Sequence, residues 1–158
     1  MTVRLSPNFS LAEFTASETA ARRGIDNNLP SVLIPKAVQT AEMLERIRAA
    51  LSQSIGRPAP ILLLSGYRSE ALNKAVGGSA RSDHLRAGAA DWHCPAFGTP
   101  TAICKFLAER MDELGIGQLI NEFPSASGGW VHTSQPLASG ANRVLTITAA
   151  GVRQGVHA

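Results

Sequence analysis

Aromatic side chains are scarce in this 158-residue chain: two tryptophans, one tyrosine and five phenylalanines make up 5% of it. So thin a supply argues against stacking on the bases of nucleic acid. Cysteine is scarcer still, with only Cys94 and Cys104. Two cysteines cannot build a disulfide framework, and these two lack the C-x-x-C spacing of a structural zinc site. They could pair, but burial as free thiols is the expectation from the general habit of cysteine. No apolar run approaches the length of a membrane span, and Met1 to Ser10 carry no apolar segment of a secretory signal. The expectation is a chain made in the cytoplasm, without membrane insertion. Charge is not gathered into a block: 15 basic and 12 acidic residues leave a net +3. That balance suits an anionic surface but is no nucleic-acid footprint.

What is present is ample core material, 44% hydrophobic against 17% charged, in a length that suits one domain over 1–158. Neither an internal repeat nor a linker interrupts it; about 1–8 and 150–158 are expected to be loose ends. Ser10-Leu-Ala-Glu13 is a capping-box pattern opening a short helix with Leu11 and Phe14 inward. Residues 21–30 read as a loop. Pro35 begins a longer helix, with Ala37, Val38, Ala41, Leu44, Ile47 and Leu51 at helical spacing, Glu42, Glu45 and Arg46 on its wet face, and a stop at Gly56. Ile61 to Leu64 reads as a buried strand, and Ser69 starts another short helix. A strand is expected over 89–94. Thr99-Pro100 caps a helix that carries Ile103, Phe106, Leu107, Met111 and Leu114 inward and ends at Gly115. Gln118 to Phe123 and Trp130 to Ser134, joined by a Gly-rich turn, predict a hairpin, and Arg143 to Thr148 a last strand. Helices first, then strands, predict an α+β domain with helices packed on a mostly antiparallel sheet.

The chemistry concentrates in Ser82-Asp-His-Leu-Arg-Ala-Gly-Ala-Ala-Asp91. His84 and Asp91 bracket a run of small residues that lets the backbone fold back and bring the two ends together. His132, far along the chain, adds a second imidazole. Two nitrogens and one carboxylate oxygen form a common catalytic zinc set that leaves a position for water. Each of the three read alone is an ordinary loop or strand residue; what raises the trio is a matching base and a matching cation. Glu122, at the end of the first hairpin strand, is the candidate base, against the alternative of a surface carboxylate. Arg68, at a strand end, could hold a substrate carboxylate or an oxyanion, against the alternative of a structural salt bridge. His93 shares a strand face with Asp91 and is expected to support the ligands or sit in the core. Trp130 shares a face with His132 and could wall a pocket, against the alternative of a plain core residue. Ser82 and Asp83 could hydrogen-bond the ligand loop, and Arg81 and Arg86 read as solvated loop residues.

At these residues the chain resembles the M15 family of zinc peptidases, the D-Ala-D-Ala carboxypeptidase and peptidoglycan endopeptidase group. The carrying stretches are Ser65-Gly-Tyr-Arg-Ser69, Ser82 to Gly88 with His84 inside it and Ala90-Asp91 completing it, and Trp130-Val-His132. Phe9-Ser-Leu-Ala-Glu-Phe14 and Arg23-Gly-Ile-Asp-Asn27 resemble a phage-associated branch. The resemblance implies the small α+β fold shared with hedgehog-type domains, Zn2+ held by His84, Asp91 and His132, Arg68 as the substrate-orienting arginine with Ser82 and Trp130 beside the substrate, and peptidoglycan stems or cross-links as the substrate of a monomeric enzyme. One departure stands out. Many members place the catalytic acid three residues before the last histidine, where this chain has Gly129; Glu122 on the preceding strand fits the place used in the phage-like branch.

Two function classes follow. One is a zinc peptidase degrading the bacterial cell wall, reaching it as a phage endolysin or a virion-associated lysin. The other is a non-catalytic, metal-stabilised binding or virion structural module on the same fold.

Overall fold

The computed structural model describes residues 1–125, 128–137 and 143–158. Two short strands, β1 (Arg4–Ser6) and β2 (Phe9–Ser10), pair antiparallel and lead into α1 (Leu11–Thr15) and α2 (Glu18–Arg23). The long α3 (Ile34–Ile55) follows, then β3 (Leu62–Ser65), α4 (Glu70–Ala75), β4 (Ala89–His93), α5 (Pro100–Ala108) and α6 (Met111–Leu114). The chain closes with β5 (Gln118–Glu122), β6 (Trp130–Ser134), β7 (Arg143–Thr148) and β8 (Gly151–Gln154). The six later strands form one sheet in the order β3-β4-β6-β5-β7-β8, antiparallel except for the β5–β7 pair. The fold is therefore the expected α+β domain with helices on a mostly antiparallel sheet.

Local chemistry explains the helices. In α1 the Ser10 hydroxyl accepts from the Glu13 N–H while the Glu13 carboxylate accepts from the Ser10 N–H, the full capping box. Helix α3 has Pro35 in its first turn, buries Ala37, Thr40, Ala41, Met43, Leu44, Ile47 and Leu51 along one stripe, and stops at Gly56 in the left-handed region. Each fully buried leucine or isoleucine on that stripe contributes roughly 1.5–3 kcal/mol. Alternation then divides the sheet. Trp92, Leu119 and Val131 point into the core with the α3 and α5 side chains, and the intervening residues Asp91, His132, Ile120 and Glu122 face away from it.

Several sequence expectations change. Residues 21–30 are not all loop: Ser17 caps α2, which runs to Arg23 and ends on Gly24 in the left-handed region. The strand expected to be buried at 61–64 is the sheet's edge. Leu62 and Leu64 are 49% and 48% exposed, because they alternate with Leu63, which packs on the core beside Trp92, and so lie on the sheet's open face; four apolar residues in a row do not distinguish the two cases. The helix expected as far as Gly115 breaks after Ala108 and resumes at Met111. The loose ends are tied. Glu45, expected on the wet face, accepts from the Ser6 hydroxyl at 2.7 Å and from the backbone and side chain of Asn8 at 2.7 and 2.8 Å, fastening the β1–β2 hairpin to α3. At the other end β8 pairs with β7, and the Asn121 amide donates to the His157 carbonyl at 2.8 Å. Residues 126–127 of the expected Gly-rich turn lie outside the described residues.

Candidate metal centre

Strand register places two of the three expected ligands. β4 and β6 pair so that Asp91 stands directly opposite His132. His84 arrives from a single 3-10 turn, Asp83–Arg86, whose start is capped by Ser82: its hydroxyl accepts the His84 N–H at 3.3 Å. The turn ends on Ala87 at φ 57°, a left-handed conformation uncommon outside glycine, and the Gly88 N–H closes back onto the Asp83 carbonyl at 2.9 Å. The reversal is braced from behind: the Thr40 hydroxyl donates to the Ala87 carbonyl at 2.7 Å, the Gln135 N–H donates to the Gly88 carbonyl at 2.9 Å, and the Gln135 side-chain amide reaches Thr40 and the Lys36 carbonyl. Ala87, Ala89 and Ala90 are fully buried. Larger side chains would have no room there, so the small-residue run has the packing role its composition suggests.

The three side chains converge. One donor atom each from His84, Asp91 and His132 lies within 4.8 Å of the others, and all three residues are buried. His84 Nδ1 lies 2.6 Å from the Gly66 carbonyl, which can only accept, so Nδ1 carries the hydrogen and Nε2 presents a lone pair. That Nε2 is buried without a hydrogen-bond partner and sits 3.3 Å from Asp91 Oδ1. Burial holds the His84 pKa down despite the Asp91 charge, which keeps the ring neutral. Burial also opposes the charge on Asp91, yet the facing His84 and His132 hold its carboxyl well below the usual carboxylate range. A neutral nitrogen lone pair thus faces an ionised carboxylate oxygen, with His132 Nδ1 on the same oxygen at 2.8 Å. Two acceptors brought together in a dry site call for a cation between them, and this donor set suits zinc.

Arg68 completes the frame. Its Nη2 donates to Asp91 Oδ2 at 2.6 Å and its Nε to the Ser65 hydroxyl at 2.9 Å, and its backbone N–H donates to the His84 carbonyl at 3.1 Å. Gly66 between them is required, because a Cβ there would lie 2.4 Å from the Phe14 carbonyl oxygen. On the other side, Glu122 Oε1 lies 4.0 Å from His132 Nδ1. Burial, reinforced by the Asp91 charge, pushes the Glu122 carboxyl above its ordinary range; His132, Arg68 and the Trp130 indole pull weakly the other way.

A family model for peptidase M15 matches residues 7–123. The chain belongs to the peptidase M15 family. No curated protein matches it. The matched span contains Arg68, His84, Asp91 and Glu122 but ends before Trp130 and His132. In this M15 chain it is the β4–β6 pairing that delivers the third member of the cluster.

The candidate site residues Arg68, Ser82, His84, Asp91, Glu122, Trp130 and His132 together line a cleft of about 950 Å³. Trp130 is paired with Glu122 across the hairpin, and its ring centroid is 5.5 Å from that of Phe123. Gly129 has φ +88°, and a Cβ there would lie 2.6 and 2.7 Å from the Phe123 and Glu122 carbonyl oxygens. No acid can stand at that position in this hairpin, which accounts for the departure at Gly129.

Arg81 and Arg86 are exposed, as expected of solvated loop residues, and they also line the cleft, with Arg86 bonded to Asp83 at 2.7 Å. One expectation about a neighbouring residue changes. His93 is neither a core residue nor a support for the ligands: it is half-buried at the end of β4, outside the cluster. Cys94 and Cys104 are free buried thiols, and burial pushes Cys104 up to about 12.

One positioning residue was missed. The buried Asn27 donates to the Thr15 and Tyr67 carbonyls at 2.9 and 3.1 Å and accepts the Ser69 N–H at 2.7 Å, so it clamps the backbone on both sides of Arg68. Its signal was present in the Arg23-Gly-Ile-Asp-Asn27 stretch, but nothing local says which distant backbone an asparagine will meet.

Proposed function

We propose that this M15 chain is a zinc-dependent peptidase that hydrolyses peptide bonds in bacterial peptidoglycan, a D,D-carboxypeptidase or an endopeptidase of the stem peptides. The observation that carries the reading is the orphaned His84 Nε2 lone pair aimed at Asp91 and His132. Zinc held by these three would supply a Lewis acid that acidifies water and polarises the scissile carbonyl.

The remaining roles belong to the chain's own groups. Glu122 takes a proton from the attacking water and passes it to the leaving amine; its raised pKa brings it closer to the working pH of such a shuttle. Arg68 holds Asp91 in place and, from the cleft wall, receives the substrate carboxylate or the developing oxyanion. Ser82 and Trp130 flank the bound peptide. Among the described residues no helix is long and apolar enough to cross a membrane. Action at the cell wall as a phage endolysin or virion-associated lysin, as a monomer, fits this chemistry.

The test is digestion of purified peptidoglycan by zinc-loaded protein, with new amino groups counted and the muropeptides identified by mass. Release of amines that disappears in Glu122→Gln is the expected result. Peptidoglycan left intact by fully zinc-loaded protein would favour a metal-stabilised binding module.

A further inference from the structure

Beyond the candidate ligands and the candidate base, the charged groups lining the cleft are four arginines, Arg68, Arg81, Arg86 and Arg143, and one acid, Asp83. Arg81 and Arg86 stand on the loop that carries His84, and Arg143 opens β7 on the far side. All three are exposed. The cleft's acids are Asp83, Asp91 and Glu122; Asp83 is bonded to Arg86 and Asp91 to Arg68. Arg81 and Arg143 make no ion pair among the described residues. Residues 126–127 and 138–142 contain no acidic side chain in the sequence, so they bring no counter-charge. Two guanidinium groups without an ion pair among the described residues therefore line a cleft whose floor would also hold a dication.

Their placement sets a distance. Arg143 pairs with Gln118 in the parallel β5–β7 ladder, Gln118 is two residues from Ile120, and Ile120 pairs with His132. Arg143 is thus two residues along and two strands across from His132, on the order of 12 Å between backbones. An extended peptide covers that span in roughly three to four residues.

Resting on the peptidoglycan-peptidase reading, we infer that the cleft selects stem peptides with free carboxylates remote from the scissile bond, received by Arg143 and Arg81, over stems whose carboxyls are amidated. Guanidinium groups suit this role because they bind carboxylates in a planar, two-pronged fashion that an amide cannot satisfy. Exposed arginines contribute modestly one at a time, so discrimination is expected to be severalfold for each.

The experiment measures retention of the full-length Glu122→Gln protein on insoluble peptidoglycan, native or chemically amidated at its free carboxyls, across a salt series. Native material is expected to bind about 10-fold more tightly at low salt. Arg81→Gln and Arg143→Gln together should reduce binding to the level of the amidated material, with no further loss on amidation. Arg23→Gln, an exposed arginine on α2 outside the cleft, should leave retention unchanged. Equal retention on both materials overturns the inference. So does full discrimination by the double variant, or an Arg23→Gln loss as large as that of Arg143→Gln, which would mean generic charge attraction. Because retention is read without turnover, it stands apart from amine release by the wild-type protein, whose absence on both materials would sink the peptidase reading instead.

Discussion

The candidate ligands and the candidate base approach within 4.0 Å of each other, yet they are held on different terms. On the ligand side almost every polar group is spoken for. His84 is pinned through Nδ1 to Gly66 and through its backbone to Arg68, Arg68 is tied to Asp91 and Ser65, and the loop behind them is braced by Thr40 and Gln135. On the base side Glu122 ends a strand beside a hairpin turn that depends on Gly129 and on Phe123 at φ 47°. A metal cluster tolerates little displacement, whereas a proton shuttle has to gain and lose a proton without dragging its frame along. On the proposed reading, the first side suits fixity and the second a change of charge.

The largest expected effect tests the fixed side. His84→Ala should abolish stoichiometric zinc by elemental analysis and lower peptidoglycan hydrolysis by more than the roughly 10–100-fold typical of losing a mere supporting partner. Zinc retained at full occupancy would mean the cluster is not the metal site. Glu122→Gln separates the two sides: hydrolysis should fall roughly 10²- to 10⁴-fold with zinc content unchanged, and a parallel loss of zinc would show that the sides are not independent.

Gly129→Ala strikes the hairpin alone. The left-handed backbone costs an alanine about 1–2 kcal/mol, before the contact with the Glu122 and Phe123 carbonyls is added. Thermal melting should shift downwards and activity should drop, again with zinc retained. Asn27→Ala acts on the ligand side from a distance. It leaves one buried and one part-buried carbonyl and one part-buried N–H without their partner, about 1–3 kcal/mol each at most, and should weaken zinc affinity through Arg68 more than Gly129→Ala does.

The smallest effect lies outside both sides. The Ser10 hydroxyl and backbone hold the Glu13 carboxyl below its ordinary range. A carboxylate whose pKa is lower in the folded chain adds stability that is present above its unfolded value and is lost as pH falls through the folded one. Acid melts should therefore show a Ser10-dependent stability increment that is present above about pH 4.5 and is lost as pH falls below it, and that is missing in Glu13→Gln. Ser10→Ala itself should cost about 1 kcal/mol at neutral pH.

Much of the fold was legible because its signals are local. The Ser10–Glu13 box, the Pro35 start and Gly56 stop of α3, and Thr99-Pro100 at α5 each depend on groups within one turn of chain. The edge position of β3 and the pairing of β8 were not legible, since both depend on which strand lies alongside. The same divide runs through the site. Short motifs marked Arg68, His84 and Asp91, and strand alternation put Trp130 on the face of His132. The partnership of Asn27 with the backbone around Arg68, and the arginines lining the cleft, join residues that are neighbours only in space.

By itself, the sequence determined the residue types available for the chemistry and the turns around them: a histidine and an aspartate enclosing six residues, four of them small, a second histidine after a tryptophan, an arginine after Ser-Gly-Tyr. Tertiary structure decided their meeting. Asp91 meets His132 because β4 and β6 pair in one register; a slip of one residue would send either side chain into the core. His84 joins them because Ala87 turns left-handed against α3. Gly129 excludes an acid because of a backbone that lies seven residues earlier in the chain and less than 3 Å away in space. Residue chemistry is written along the chain, but ligand geometry is a property of packed backbones.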